Sequence, residues 1–474
     1  MPHSKPIIKI VLVMLLGLSW CIPAQAISIK EEEQLAREFL KVVAARFDLI
    51  EDPMIVGYVN TVGRKILAQV PSQPFKFRFY VIKEDTYNAF AIPAGHIFIN
   101  SGLLAAMESE DELAGILAHE VAHVVNRHIS QRIDRSKKID MASLAGVVAG
   151  VFLGVASGNA SAAQTLSIGS MAAGLSAQLA YSREDENQAD QSGLVYMRNA
   201  GFSGEALMSV LKKIRGKQWF GTREIPSYMM THPALEERIT QLDTDLTLLD
   251  RRETVNSRFD PSGAGQFNKV NIRLTALHED PDAAFQHFRA ALNQQPDAPD
   301  SLYGYGLVLA RKGNRTEAAA YLKQALAKNA LDPIILSDLG RIYFLDGRYA
   351  DALGTLEGAV SLSKENGEGL FYLGRTQMEL GRFEAAVDAF EKMLEVYPDY
   401  RPVYQFLGES YGRLERLPEA HYYLGLFYFK RADYATAHFH LARAQKELSD
   451  PTKIEAVKQA LEEIRKMPKM EQRK

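Results

Sequence analysis

The chain has 474 residues, of which 47% are hydrophobic and 24% charged, with a formal net charge of −3. That length exceeds one ordinary core and calls for two or three domains of a globular protein. The near-neutral balance, with no long basic run, excludes nucleic acid as an expected partner.

Residues 1–26 read as a cleavable secretory signal peptide. Lys5 and Lys9 precede the apolar IKIVLVMLLGL, and Ala24-Gln25-Ala26 forms an A-x-A cleavage site. The apolar core is shorter than the ~20 residues of a spanning helix. Trp20 ahead of Cys21 argues against a lipoprotein signal. Cys21 is the only cysteine, so the mature protein is expected to hold no disulfide and no thiolate ligand. Any metal must then be bound by His, Asp or Glu.

Apolar positions at helical spacing predict two helices within residues 30–70. FKFRFYVI, Phe75 to Ile82, alternates as a strand. In TYNAFAIPAGHIFINSGLL, Pro93-Ala94-Gly95 reads as a turn between two short extended pieces, and Pro93 favours an edge position for the first. Ser109 to Glu112 match a capping box and start a helix that carries GILAHEVAHVVNRH, Gly115 to His128. Residues 141–180 contain a long uncharged, glycine-rich run. It reads either as a helical hairpin packed on protein or as a flap that touches lipid or covers a cleft.

The polar stretch DRRETVNSRFDPSGAGQF, Asp250 to Phe267, contains the linker, 250–265. Beyond it the chain repeats. Gly306, Gly340, Gly374 and Gly408 are 34 residues apart, as are Ala318, Ala352, Ala386 and Ala420, with Ala284 one step upstream. Phe288, Leu322, Leu356, Phe390 and Leu424 each follow the alanine by four. Small residues in fixed phase let paired helices cross closely, and the period is that of tetratricopeptide repeats. Leu424-Gly425 starts a unit half a period early, with Tyr428, Ala437, Leu441 and Ala444 in matching places, which predicts an irregular cap.

His119 and His123, four apart on a helix, project from one side and suit one zinc ion. Glu120 between them then reaches the water that the ion activates, in the H-E-x-x-H manner. His128, five after His123, is expected to be rotated away from that face and is read as a non-ligand. For a third ligand, YSREDENQADQSGL offers Glu186, with Asp190 placed to accept the N–H of a ligand histidine. Glu184 competes for the same role, and a plain solvated acidic face is the bland alternative.

NAFAIPAGHIFINSGLL, HEVAHVVNRH, ENQAD and THPALEERI, in that order along the chain, resemble the zinc metallopeptidases related to HtpX and the CAAX prenyl endopeptidase, over roughly residues 30–245. A signal peptide before that region and tetratricopeptide repeats after it are similar to the layout of Gram-negative periplasmic proteases that enhance β-barrel assembly. The resemblance implies an α+β zincin-like metallopeptidase domain over 27–249, mostly helical, with a small sheet and a substrate-binding edge strand. An all-α tetratricopeptide solenoid follows over 266–468, then a charged tail at 469–474. Carried over by position, His119, His123 and Glu186 would hold one Zn2+, with Glu120 as general base and Asp190 behind the ligands. Asn88, Phe90 and Ala91 would lie on the edge strand that pairs with an extended substrate.

His232, before Pro233, matches a histidine that can close the fourth zinc position and make such an enzyme latent. It is alternatively an oxyanion stabiliser, or a plain turn residue. The resemblance further implies a periplasmic location, peripheral at the outer membrane. Expected partners are unfolded or misassembled outer-membrane proteins, the assembly machinery through the repeats, and a membrane-surface contact by 141–180. Without a clear set of spanning helices, a prenyl-protein substrate is not implied. The rival reading is a repeat-based chaperone or assembly scaffold in which proteolysis is secondary.

Overall fold

The computed structural model describes residues 27–133, 140–152, 180–220, 227–250 and 261–466. The signal peptide, residues 153–179 of the uncharged run, most of the linker and the charged tail lie outside them. Contacts divide the chain into two compact units, Met1–Ile50 with Val59–Ala264, and Glu51–Tyr58 with Gly265–Lys474.

The first unit opens with α1 (Ile29–Arg46), fixed by a reciprocal cap. Ser28 Oγ accepts from the Glu31 amide, and the Glu31 carboxylate accepts the Ser28 N–H at 2.7 Å. Helix α2 (Pro53–Leu67) follows. The sheet has three strands, β1 (Arg78–Ile82), β2 (Ala89–Ile92) and β3 (His96–Asn100), in the order β1-β3-β2. β1 runs parallel to β3, and β2 antiparallel to it with Phe90 opposite Phe98. The chain reverses between β2 and β3 within Pro93–Gly95, where Ala94 (φ 66°) and Gly95 (φ 83°) take left-handed backbone. β2 is therefore an edge strand, as Pro93 suggests.

After α3 (Ser101–Ala106) comes α4 (Glu110–Val125). Its predicted capping box is half made. Ser109 Oγ accepts from the Glu112 amide, but the Glu112 carboxylate binds the Glu108 amide, Ser209 Oγ and Lys213 Nζ instead. Tertiary partners there outcompete the local one. α4 also ends before His128: Arg127 turns left-handed (φ 55°), and α5 (His128–Arg132) starts afresh. Helix α6 (Met141–Phe152) buries Leu144, Ala145, Val148 and Phe152 against Leu35, Phe39 and Val43 of α1. The described part of the uncharged run is thus packed on protein. Among the described residues no helix is long and apolar enough to cross a membrane. Helices α7 (Arg183–Asn199), α8 (Glu205–Phe220), α9 (Ser227–Thr231) and α10 (Leu235–Asp250) complete the unit.

The second unit is a series of helical hairpins. α11 (Pro261–His278) begins inside the predicted linker, since proline at a helix start costs no hydrogen bond and PSGAGQF continues as helix. Next come α12 (Pro281–Gln294), α13 (Pro299–Arg311), α14 (Arg315–Lys328), α15 (Pro333–Leu345) and α16 (Tyr349–Leu362). Then follow α17 (Gly367–Glu379), α18 (Phe383–Val396), α19 (Arg401–Arg413), α20 (Leu417–Lys430), α21 (Tyr434–Glu447) and α22 (Pro451–Lys466).

The repeat phase has a direct packing cause. A Cβ on Gly340 would sit 2.5 Å from Leu356, and one on Gly374 2.5 Å from Phe390, so the paired helices cross only because those positions are bare. Gly408 receives Leu424 of α20 in the same way, yet Gly425 of α20 itself receives Leu441 of α21. Helix α20 is the second helix of one hairpin and the first of the next. The left-handed turn residues tell the same story: Gly313, Gly347, Gly381 and Glu415 keep the 34-residue step, and Ala432 comes after half of one.

Candidate metal centre

Two helices build the site. On α4, His119 and His123 lie one turn apart; on α7, Glu186 and Asp190 do the same. The helices approach closely where Gly193 of α7 faces the backbone of His119, 3.2 Å from where a Cβ would lie. His232 enters directly after the single-turn α9. Its Nδ1 stands 3.3 Å from His119 Nε2 and 3.1 Å from Glu186 Oε1. His119 Nε2 and His123 Nε2 are 3.0 Å apart, and Glu186 lies 3.6 and 3.5 Å from them. One ligand atom from each of the four residues falls within 4.8 Å of all the others, and all four side chains are buried.

Burial lowers the pKa of His119, His123 and His232, the last to about 4, so all three imidazoles are neutral near pH 7. Ligand atoms of four buried side chains converge on one point. Ligand atoms about 2.0–2.1 Å from a tetrahedral ion lie about 3.3 Å apart, which is the spacing here. The donor set therefore fits a metal ion. Glu184 is exposed, so of the two competing carboxylates it is Glu186 that joins the cluster.

Glu120 is fully buried beside the cluster, and neither of its oxygens has a hydrogen-bond partner among the described residues. Desolvation raises its pKa to about 7, the pull of His232 opposing this and the charge of Glu186 adding to it. Such a carboxylate is poised to take a proton near neutrality. His232 Nε2 stands 3.5 Å from it, so this imidazole fronts both the ligand point and Glu120.

Asp190 touches His119 Nδ1 at 2.9 Å and not the ligand point, so its part is to orient that ring. Burial alone would raise its pKa, but Arg238 and His119 more than reverse this and hold it well below the usual carboxylate range. Arg238, itself buried, reaches Asp190 through Nε and Nη2, both at 2.7 Å, and Glu186 through Nη1 at 2.6 Å. Sequence reasoning missed this arginine. Its signal was present: Leu235, Arg238, Ile239 and Leu242 form the apolar stripe of α10, and a cation on such a stripe needs buried partners.

The reason given for excluding His128 does not hold. Because α4 breaks at Arg127, His128 is not rotated away. Its Nδ1 meets His123 Nδ1 at 2.8 Å, and its Nε2 meets Gln188 Oε1 at 3.0 Å. It stands behind a candidate ligand and outside the four-residue group. Two tyrosines were also missed. Tyr181 stacks on His123 with centroids 3.7 Å apart, and Tyr228 on His232 at 4.2 Å.

On the edge strand, the Ala91 amide lies near Glu120 and the Ala89 backbone near His232. Phe90 points the other way, stacked in the core between Phe98 and Phe152. Asn88 donates to the Phe152 carbonyl at 2.6 Å.

Residues 57–245 match the family model described as peptidase family M48. Tetratricopeptide-repeat models match 278–333, 310–367 and 343–409. A beta-barrel assembly-enhancing protease of Yersinia pestis is 25% identical over 71% of this chain and 66% of its own length. The Escherichia coli K12 protein of that name is 25% identical over 68% and 62% respectively. The mitochondrial metalloendopeptidase OMA1 of Schizosaccharomyces pombe is 28% identical over 46% of this chain and 61% of its own. The chain thus spans just under two thirds of the length of these curated relatives.

Proposed function

For a chain that carries a peptidase family M48 domain followed by tetratricopeptide repeats, we propose a zinc-dependent endopeptidase that rests in a latent state. The carrying observation is the position of His232, with Nδ1 among the candidate ligands and Nε2 beside Glu120. His119, His123 and Glu186 would hold Zn2+, which in such a site polarises a carbonyl and lowers the pKa of water to ~7. Glu120 takes the proton of the attacking water and returns it to the leaving amine. Asp190 and Arg238 keep His119 in place while it does so. Backbone groups of Ala89 and Ala91 on β2 offer an extended peptide its alignment. With His232 as fourth ligand no position is left for water, and cleavage waits on its withdrawal.

The signal-peptide layout of residues 1–26 supports a periplasmic site of action, peripheral at the outer membrane, and relatives named for enhancing β-barrel assembly support work on that process. There the enzyme would act on unfolded or misassembled β-barrel proteins. The repeats would recruit those substrates or the assembly machinery. The closed site also favours a second reading, a scaffold in which proteolysis is secondary.

The test is β-casein cleavage by mature wild type, Glu120→Gln and His232→Ala, with bound zinc quantified in each. A weak wild type, a faster His232→Ala and a dead, zinc-replete Glu120→Gln are expected. Three inactive, zinc-replete proteins would carry the scaffold reading, as would full function of Glu120→Gln in cells. Wild type without zinc would remove the centre altogether.

A further inference from the structure

Withdrawal of His232 leaves a chemical need unmet. As the scissile carbonyl becomes tetrahedral, its oxygen gains negative charge, and a fixed donor aimed there is among the largest contributions an enzyme makes. Two unpaired phenol hydroxyls flank the cluster. The hydroxyls of Tyr181 and Tyr228 are both buried and without a hydrogen-bond partner among the described residues.

They differ in what holds them. Tyr228 lies on α9, four residues before His232, with its ring stacked on that imidazole at 13°. Tyr228 thus belongs to the segment that carries His232. Tyr181 immediately precedes Ser182, the cap of the helix that carries Glu186, and that cap is a reciprocal pair with Asp185. Its ring is clamped on His123 at 25° and lies 5.8 Å from Phe152. It faces His232 at 5.0 Å from the other side. Tyr181, His123 and Ala91 also line one small cavity, which sets this tyrosine beside β2. A phenol has a pKa of about 10 and so keeps its proton at neutral pH.

We propose that Tyr181 is a catalytic residue whose hydroxyl donates a hydrogen bond to the carbonyl oxygen of the scissile peptide as the attacked carbon becomes tetrahedral. The proposal rests on the peptidase reading of the site. The water oxygen forms the new bond to carbon, the carbonyl π pair moves onto oxygen, and the water proton goes to Glu120. When that pair returns, the C–N bond breaks and Glu120 gives its proton to the amine. Tyr181 keeps its own proton throughout.

Phenylalanine preserves the stack on His123 and deletes only the donor, so a purely structural tyrosine would not register the change. In a His232→Ala parent, Tyr181→Phe should lower kcat on a peptide spanning a mapped β-casein cleavage site by about 100-fold. KM and zinc content should stay as in the parent. Phosphoramidon, whose phosphoryl group presents a charged tetrahedral oxygen, should bind more weakly by a similar factor in calorimetry, a readout independent of turnover. A variant equal to its parent in kcat and phosphoramidon affinity overturns the proposal alone. So does a loss confined to Tyr228→Phe. A His232→Ala parent that cleaves nothing removes the peptidase reading, and the proposal with it.

Discussion

Three buried carboxylates, Glu120, Glu186 and Asp190, share Arg238 as the one buried arginine described in their unit. Burial raises the pKa of Glu120 and of Glu186 to about 7, while the guanidinium holds Asp190 well below the usual carboxylate range. The fork of Arg238 meets Asp190 twice and Glu186 once, a geometry that lysine cannot reproduce. Arg238→Gln leaves two carboxylates buried without their partner, a change of the kind that costs about 3–5 kcal/mol. The expected loss is of that size in denaturant melting of the first unit, with zinc content reduced as well. An unchanged melting midpoint would show that the arginine is not what holds the carboxylates.

Between elements, the decisive distance is that separating α4 from α7. Gly193 sets it, since a Cβ there would lie 3.2 Å from the His119 amide nitrogen. Gly193→Val must push the ligand-bearing helices apart, displacing Glu186 from the two histidines. Zinc affinity in competition with a chelator should fall about 10–100-fold, the range seen when support behind ligands is disturbed; a shift under twofold would contradict this. How much could be read beforehand follows from how local each feature is. His119, His123, Glu186 and the β2–β3 turn were legible because each depends on spacing within one short segment. Arg238, Tyr181 and the approach of His128 to His123 were not, because they arise where separate segments meet. His128 shows why most plainly: one left-handed residue, Arg127, reverses what helical periodicity implies about its direction.

At the scale of the whole molecule the repeat array carries its own condition for closing. In the last hairpin, His421 of α20 and His440 of α21 meet Nδ1 to Nδ1 at 2.8 Å. Burial and then Arg443 lower the pKa of His421, with Glu447 opposing; burial, His421 and Arg443 lower that of His440. A histidine whose folded pKa lies below its unfolded value of 6.5 binds fewer protons when folded. Stability is therefore complete above pH 6.5 and declines as pH falls from there through the folded values. The protection of α20 and α21 against hydrogen exchange, taken relative to the intrinsic amide rate at each pH, should fall between pH 7 and 5, and His421→Gln should flatten that dependence. An equal fall in the variant would assign the effect elsewhere. The half-step at α20 has a consequence for how such a chain can lengthen. Because α20 already serves two hairpins, and α22 covers α21 with Val457, Ala460 and Ile464, the spacing after Leu417 differs from that before it. A unit inserted upstream of Leu417 would meet the bare glycine that each hairpin there offers the next. The array can thus be lengthened from within, like a stack extended beneath its lid.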